Sequence, residues 1–287
     1  MFGLSGTVYL VGAGPGAADL LTRRAASLLA QADVVLHDEL VSQDVLDVAR
    51  KSALILNVGK RCGRKNVTQE QINEKMIQFA RQGQTVVRLK GGDPLIFGRA
   101  QEEMQALREA GISFEIVPGV TAALAAAAAA KIPLTERRSA SKLLFVSNHQ
   151  ADPAVLSNWR SNVVTDTTLV FYMPGHDFAE LVRELQGGGL EAETPCLIIS
   201  NVSRPEQQFF RTTLRELAAA PTLASPSLLV VGSMVSEFAD GKVTGNDQLD
   251  EILLLKEDAG ERSVPVESRL SLQGDELQTV EEPHFSS

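Results

Sequence analysis

The run Val86-Val87-Arg88-Leu89-Lys90-Gly91-Gly92-Asp93-Pro94 sets a β-type segment directly against two glycines, an aspartate and a proline. Valine and leucine favour a strand up to Leu89, and the glycines end it. Open α/β sheets bind ligands outside the carboxyl ends of their strands, where glycine lets backbone approach a ligand closely. Working outward, three more strand ends share this character. Val58-Gly59-Lys60-Arg61 ends a strand with two cations, Pro118-Gly119-Val120-Thr121-Ala122 ends another, and Gly12-Ala13-Gly14-Pro15-Gly16-Ala17 follows the first. Phe97-Gly98-Arg99 opens a helix a little downstream. Coincidental turns account for any one of these, not for all four.

The first half alternates short β-rich runs with helical patterns, which predicts an α/β architecture with a mainly parallel sheet. The expected strands are Val8–Val11, Val34–Leu36, Ile55–Val58, Thr85–Leu89 and Phe114–Val117. Helices are expected at Leu20–Gln31, Thr68–Gln82, Arg99–Ala110 and over the alanine run Thr121–Ala130. Thr68 and Gln71 have the spacing of a capping box. After Ile132 a polar, proline-marked linker of about ten residues leads into a second α/β unit. Its strands are expected at Lys142–Ser147, Thr168–Met173, Pro195–Ser200, Gln208–Thr212 and Ser227–Val231, with a helix at Phe178–Gln186 and more hairpin character. The expected domains are 1–132 and 133–242, followed by an acidic, disordered tail over 243–287.

The chain has 287 residues, of which 44% are hydrophobic and 22% charged, an ordinary balance for a soluble globular protein with a sizeable core. Its longest all-apolar run, near Ala122–Ala130, is about half a membrane span. The start lacks the basic region of a secretory leader. Cys62 and Cys196 are too few for a disulfide framework or a zinc site, so a cytoplasmic protein with no bound metal is expected.

The net charge of −9 is uneven: residues 1–150 hold 18 Lys and Arg against 14 Asp and Glu, while 243–287 hold 3 against 11. A near-neutral body with local clusters, at Lys60, Arg61, Arg64 and Lys65, then Arg88, Lys90 and Arg99, then Arg137, Arg138 and Lys142, suits a small polyanion. It does not suit a nucleic-acid backbone.

Taken alone, the first glycine cluster satisfies the dinucleotide fingerprint, with Asp38 where a ribose-binding acid belongs. On that motif an NAD- or FAD-dependent oxidoreductase stays open. A nicotinamide enzyme has no need of the second strand-end loop at Gly91–Pro94.

These motifs, together with Ala32-Asp33-Val34-Val35 to Asp38, Leu40-Val41, Ile132-Pro133-Leu134-Thr135 and Tyr172-Met173, resemble the uroporphyrinogen-III C-methyltransferases in order and spacing, from about Gly6 to Lys242. The resemblance implies the tetrapyrrole methylase fold, two α/β domains with S-adenosylmethionine in the cleft between them, and a homodimer. It implies two methyl transfers to uroporphyrinogen III, at carbons 2 and 7, giving precorrin-2 and S-adenosylhomocysteine. The eight carboxylates of that substrate fit the Arg and Lys clusters. A methylase of a later corrinoid precursor is the nearest alternative. By resemblance Pro15, Gly91, Gly92, Asp93, Ile96, Thr121, Ala122, Met173 and Val202 line the methyl-donor site. Asp38 and Lys60 match a proton acceptor and donor, and Arg99 is the cation closest to the chemistry. Glu102, Arg137 and His149 match substrate-side groups.

The sequence departs from that family at Ala100-Gln101, usually Gly-Gly, and at Ala126–Ala130, usually a Gly-Pro-Ala-Tyr type of segment. Ser147-Asn148-His149 replaces Thr-Gly-His, and Val202 replaces a glycine. Thr135-Glu136-Arg137 stands for Thr-His-Arg, placing an acid beside a carboxylate-binding arginine. Glu136 turns away, pairs with Arg138, or marks an altered substrate preference.

Overall fold

A computed structural model describes residues 6–59, 67–148 and 166–235. The first sheet contains β1 (Val8–Gly12), β2 (Val34–His37), β3 (Leu54–Asn57), β4 (Val86–Lys90) and β5 (Phe114–Val117) in the order β3-β2-β4-β1-β5. All its pairings are parallel. β2 and β4 are buried along their whole length, the condition for a parallel sheet covered on both faces. One face carries α1 (Arg23–Leu29) and α2 (Gln43–Leu46), whose Leu29, Val45 and Leu46 pack on Val11, Val35 and Val87. On the other face, α3 (Gln69–Arg81) and α4 (Ala100–Glu109) set Ile72, Met76 and Leu107 against Val8, Leu10 and Leu36.

The second sheet contains β6 (Lys142–Ser147), β7 (Thr167–Tyr172), β8 (Pro195–Ser200), β9 (Gln208–Thr213) and β10 (Ser227–Val231), ordered β6-β7-β10-β8-β9. Only β6 and β7 run parallel; the rest pair antiparallel, which is the expected hairpin character. Strand alternation divides its side chains between two layers. Leu197, Ile199, Leu228 and Val230 face α5 (Ala122–Ala129), while Ile198, Leu229 and Val231 face α6 (Ala179–Gly187). The alanines 123, 125, 126 and 127 of α5 carry no bulk, so this helix lies close on the second sheet although it follows the last strand of the first. Arg211 of β9 donates to the carbonyl of Ala130, the negative end of α5. Both sheets belong to one compact unit.

Every expected strand lies within one residue of an observed one at each end. The capping box of α3 forms, with the Gln71 backbone N–H donating to Thr68 Oγ1 at 3.3 Å and Thr68 N–H to Gln71 Oε1 at 3.0 Å. Two differences matter for the site. The helix expected at Leu20–Gln31 begins only at Arg23, where Thr22 Oγ1 accepts from Ala25 N–H, and Ala18–Leu20 forms a 3-10 turn. The short α2, capped by Ser42, was not expected. The segment 243–287 lies outside the described residues.

Candidate active site

The carboxyl ends of β1, β4 and β5 converge so closely that only glycine fits. A Cβ on Gly12 would sit 2.6 Å from the Gly119 backbone, and one on Gly119 would sit 2.3 Å from the Gly92 carbonyl oxygen. Asp93 locks the junction, its carboxylate accepting from Gly119 N–H at 3.0 Å and Leu95 N–H at 2.8 Å. The first glycine loop is consumed by this contact. Ala13 N–H donates to the Lys90 carbonyl at 2.7 Å, Gly14 and Gly92 bond each other, and Ala17 N–H donates to Ser203 Oγ at 3.1 Å. A dinucleotide cradle needs such amides free at a helix start. Here those of Ala13, Gly14 and Ala17 are occupied, and no α-helix follows directly. The oxidoreductase alternative therefore fails on geometry.

What the junction leaves open is a cleft of about 210 Å³ between the two sheets. Pro15, Gly91, Gly92, Asp93, Ile96, Thr121 and Ala122 line it from the first half. Met173 and Val202 line it from the second, so all nine residues named for the methyl donor meet in one place. Asp38 lies in its wall. The cleft also contains residues that sequence reasoning did not assign. Tyr172 accepts Ala123 N–H at 3.2 Å, meets Thr121 Oγ1 at 2.5 Å and stacks 5.0 Å from the Phe97 ring. Burial raises the Tyr172 pKa above the ordinary phenol value. Arg204 donates to the Leu40 carbonyl across the cleft. Ile199 and Leu228 line it too, and their only trace in sequence was the apolar runs that form β8 and β10.

Backbone strain collects here. Phe97, Arg99, Met173, Asn201 and Ser203 all have φ between 50° and 61° without being glycine. Phe97 and Met173 line the cleft, Arg99 follows Gly98, and Asn201 and Ser203 flank Val202. Such residues persist only where their surroundings over-determine them, and they gather at functional sites.

The charged residues fall into two sets. Arg88 and Lys90, counted with Arg99 as a polyanion-binding cluster, point into the protein: their side chains are each 3% exposed. Arg88 Nε donates to Glu103 Oε1 at 2.9 Å, and Lys90 Nζ lies 2.9 Å from Glu103 Oε2. Arg88 also forms an ion pair with Asp38. Burial opposes the Arg88 charge, but Asp38 and Glu103 more than offset it and raise its pKa. Burial lowers the Lys90 pKa, the neighbouring Arg88 adds to that, and Glu103 offsets only part of it. These two cations are therefore not ligand grips.

Arg99 is different. It caps α4 with its side chain 49% exposed, holding Glu102 through Nε–Oε1 at 2.7 Å and Nη2–Oε2 at 2.6 Å. Neither residue lines the 210 Å³ cleft, although Gly98 beside them does. Arg137 is exposed in the turn before β6. Glu136 is settled: its Oε2 accepts from Arg138 N–H at 2.8 Å and from Ser139 N–H and Oγ at 2.9 Å, and these bonds, the Arg138 amide first, lower its pKa. It closes its own turn. Lys60 and His149 lie outside the described residues.

Residues 7–218 match the family described as Tetrapyrrole (Corrin/Porphyrin) Methylases. The chain belongs to this family. A siroheme synthase of Klebsiella pneumoniae is 46% identical over 232 residues, 80% of this chain and 49% of that protein. One from Psychrobacter cryohalolentis is 46% identical over 238 residues, 82% and 46%. This tetrapyrrole methylase thus spans about half the length of the curated relatives it matches. Among solved structures, the uroporphyrin-III C-methyltransferase of Thermus thermophilus complexed with S-adenyl homocysteine has a TM-score of 0.71 at 35% identity, covering 82% of this chain and 96% of that one. A cobalt precorrin-4 methyltransferase has the same TM-score at 29% identity, covering 80% and 95%. The two sheets with a cleft between them are the tetrapyrrole methylase fold.

Proposed function

We propose that this tetrapyrrole methylase transfers methyl groups from S-adenosylmethionine to carbons 2 and 7 of uroporphyrinogen III, giving precorrin-2 and S-adenosylhomocysteine. The convergence of the nine donor-site residues on one cleft carries this reading. Ile96, Ile199, Val202 and Leu228 offer apolar surface for a nucleoside, and the backbone of Gly91 offers polar groups beside it. S-adenosylmethionine supplies a methyl group on a positively charged sulfur. The chain's own task is then to hold a pyrrole carbon in line with it, so positioning supplies much of the rate.

A macrocycle with eight carboxylate arms is too large for the cleft itself. Exposed Leu40, Phe97 and Met173 line the cleft and give apolar surface on which it can lie. In this reading Arg99, Glu102, Arg137 and His149 meet its polar arms, Asp38 accepts the proton leaving the methylated ring, and Lys60 serves as donor. The active species is a cytoplasmic homodimer.

The high similarity to a cobalt precorrin-4 methyltransferase favours, as second reading, a later corrinoid precursor as substrate. An anaerobic assay with labelled S-adenosylmethionine separates the two. Two labelled methyl groups on uroporphyrinogen III are expected. Transfer to a corrinoid precursor, with none to uroporphyrinogen III, would overturn the proposal.

A further inference from the structure

The buried charges beneath Asp38 form a connected chain. Glu103 of α4 is fully buried, in phase with Ala100 and Leu107 on the inward face of its helix. It accepts from Arg88 Nε at 2.9 Å and from Gln69 Nε2 of α3 at 3.4 Å, and it pairs with Lys90 of β4. Arg88 is thereby fixed in its plane, and its Nη1 donates to the carbonyls of Leu36 and Leu89, each at 3.3 Å. The remaining nitrogen, Nη2, grips Asp38 Oδ1. Asp38 has its backbone pinned as well, N–H to the Leu89 carbonyl at 3.1 Å, while His37 Nδ1 meets its carbonyl oxygen at 2.9 Å. Its side chain is 31% exposed and lines the cleft.

Burying Arg88, Lys90 and Glu103 is costly, and a purely structural purpose would be served as well by apolar side chains. A planar guanidinium fixed from behind by a buried carboxylate fixes whatever it holds in front. We infer that Arg88, oriented by Glu103, is a positioning residue that holds the Asp38 carboxylate aimed into the cleft for the proton transfer that accompanies methylation. This rests on the function proposed above. Arg88 touches neither the cleft nor its ligands; it acts through Asp38.

Arg88→Lys and Glu103→Asp keep the number of buried charges while breaking the fork, and both are measured in the full chain. In Arg88→Lys, kcat is expected to fall at least about thirtyfold while the dissociation constant of S-adenosylhomocysteine stays within about threefold. In an Asp38→Asn background, Arg88→Lys changes kcat by less than about threefold, because the residue it serves is gone. Glu103→Asp lowers kcat in the same way, with S-adenosylhomocysteine binding again preserved.

Near-normal kcat, effects that multiply fully in the Asp38→Asn background, or a parallel loss of S-adenosylhomocysteine affinity would overturn the inference. Should neither variant fold, the Nε–H resonance of Arg88 in the 15N-arginine-labelled native chain decides. Slow exchange and a shift on Asp38→Asn support the inference, and rapid exchange or an unmoved signal overturns it. A wild-type protein that transfers no methyl group overturns the proposed function instead, and the resonance still reports on Arg88.

Discussion

Neighbouring glutamates of α4 each hold an arginine, and the two pairs differ in the water around them. Glu103 and Arg88 are 0% and 3% exposed, whereas Glu102 and Arg99 are 47% and 49% exposed. In the interior, attraction is weakly screened and desolvation is expensive, so removing one partner strands a charge. At the surface the same pairing contributes little to stability, and the arginine can exchange its partner for another carboxylate at small cost. In the proposed reading, one pair is scaffold for Asp38 and the other a grip that a substrate arm can claim.

The contrast breaks most visibly at Glu103. Glu103→Gln leaves Arg88 and Lys90 buried with no carboxylate between them, and a loss of about 3–5 kcal/mol is expected in urea unfolding. Glu102→Gln should cost less than about 1 kcal/mol in the same experiment. Equal losses in the two variants would erase the distinction.

Arg99→Lys probes the other side. A planar fork holds a carboxylate through two bonds, and an ammonium cannot copy that geometry. Turnover is expected to drop about a hundredfold, about 2.7 kcal/mol in the barrier. Folding stability should stay within about 0.5 kcal/mol of wild type. Near-normal turnover would move the substrate grip elsewhere, to Arg137 and Arg138.

The smallest effect is in pH. The hydrogen bond from Arg99 lowers the Glu102 pKa against the opposing effect of burial. A lowered folded-state pKa gives stability that is present above the unfolded value, about 4.3, and lost as pH falls through the folded one. The small deficit of Glu102→Gln at neutral pH should therefore vanish in acid. A deficit that persists there would show that it arises from packing.

The sequence was most legible where periodicity is strong. All ten strands follow from β-rich runs between turn residues, and Thr68 with Gln71 announced the start of α3. The nine residues that the resemblance assigned to the methyl donor lie on or near strand ends that glycine and proline mark, and the structure brings them to one cleft. Arg88 and Lys90 were misleading because a strand places them on one face, and nothing adjacent shows whether that face meets water. The missing counter-ion is on the next helix. One signal was available: Ala100, Glu103 and Leu107 share a helical face, and a lone acid on an apolar face implies a buried cation opposite. Arg204 had no local signature, and the apolar runs that hold Ile199 and Leu228 do not show that these two reach the cleft, which follows only from the packing of the second sheet. The first glycine loop has the spacing of a nucleotide cradle, yet its amides are spent on the 90–92 backbone and Ser203, contacts distant in sequence.

That loop makes the central claim testable in one titration. Calorimetry of the full chain against S-adenosylhomocysteine and against NAD asks which ligand the strand ends were built for. The account predicts saturable, micromolar binding of S-adenosylhomocysteine and no heat from NAD. Micromolar NAD binding with no response to S-adenosylhomocysteine would contradict it.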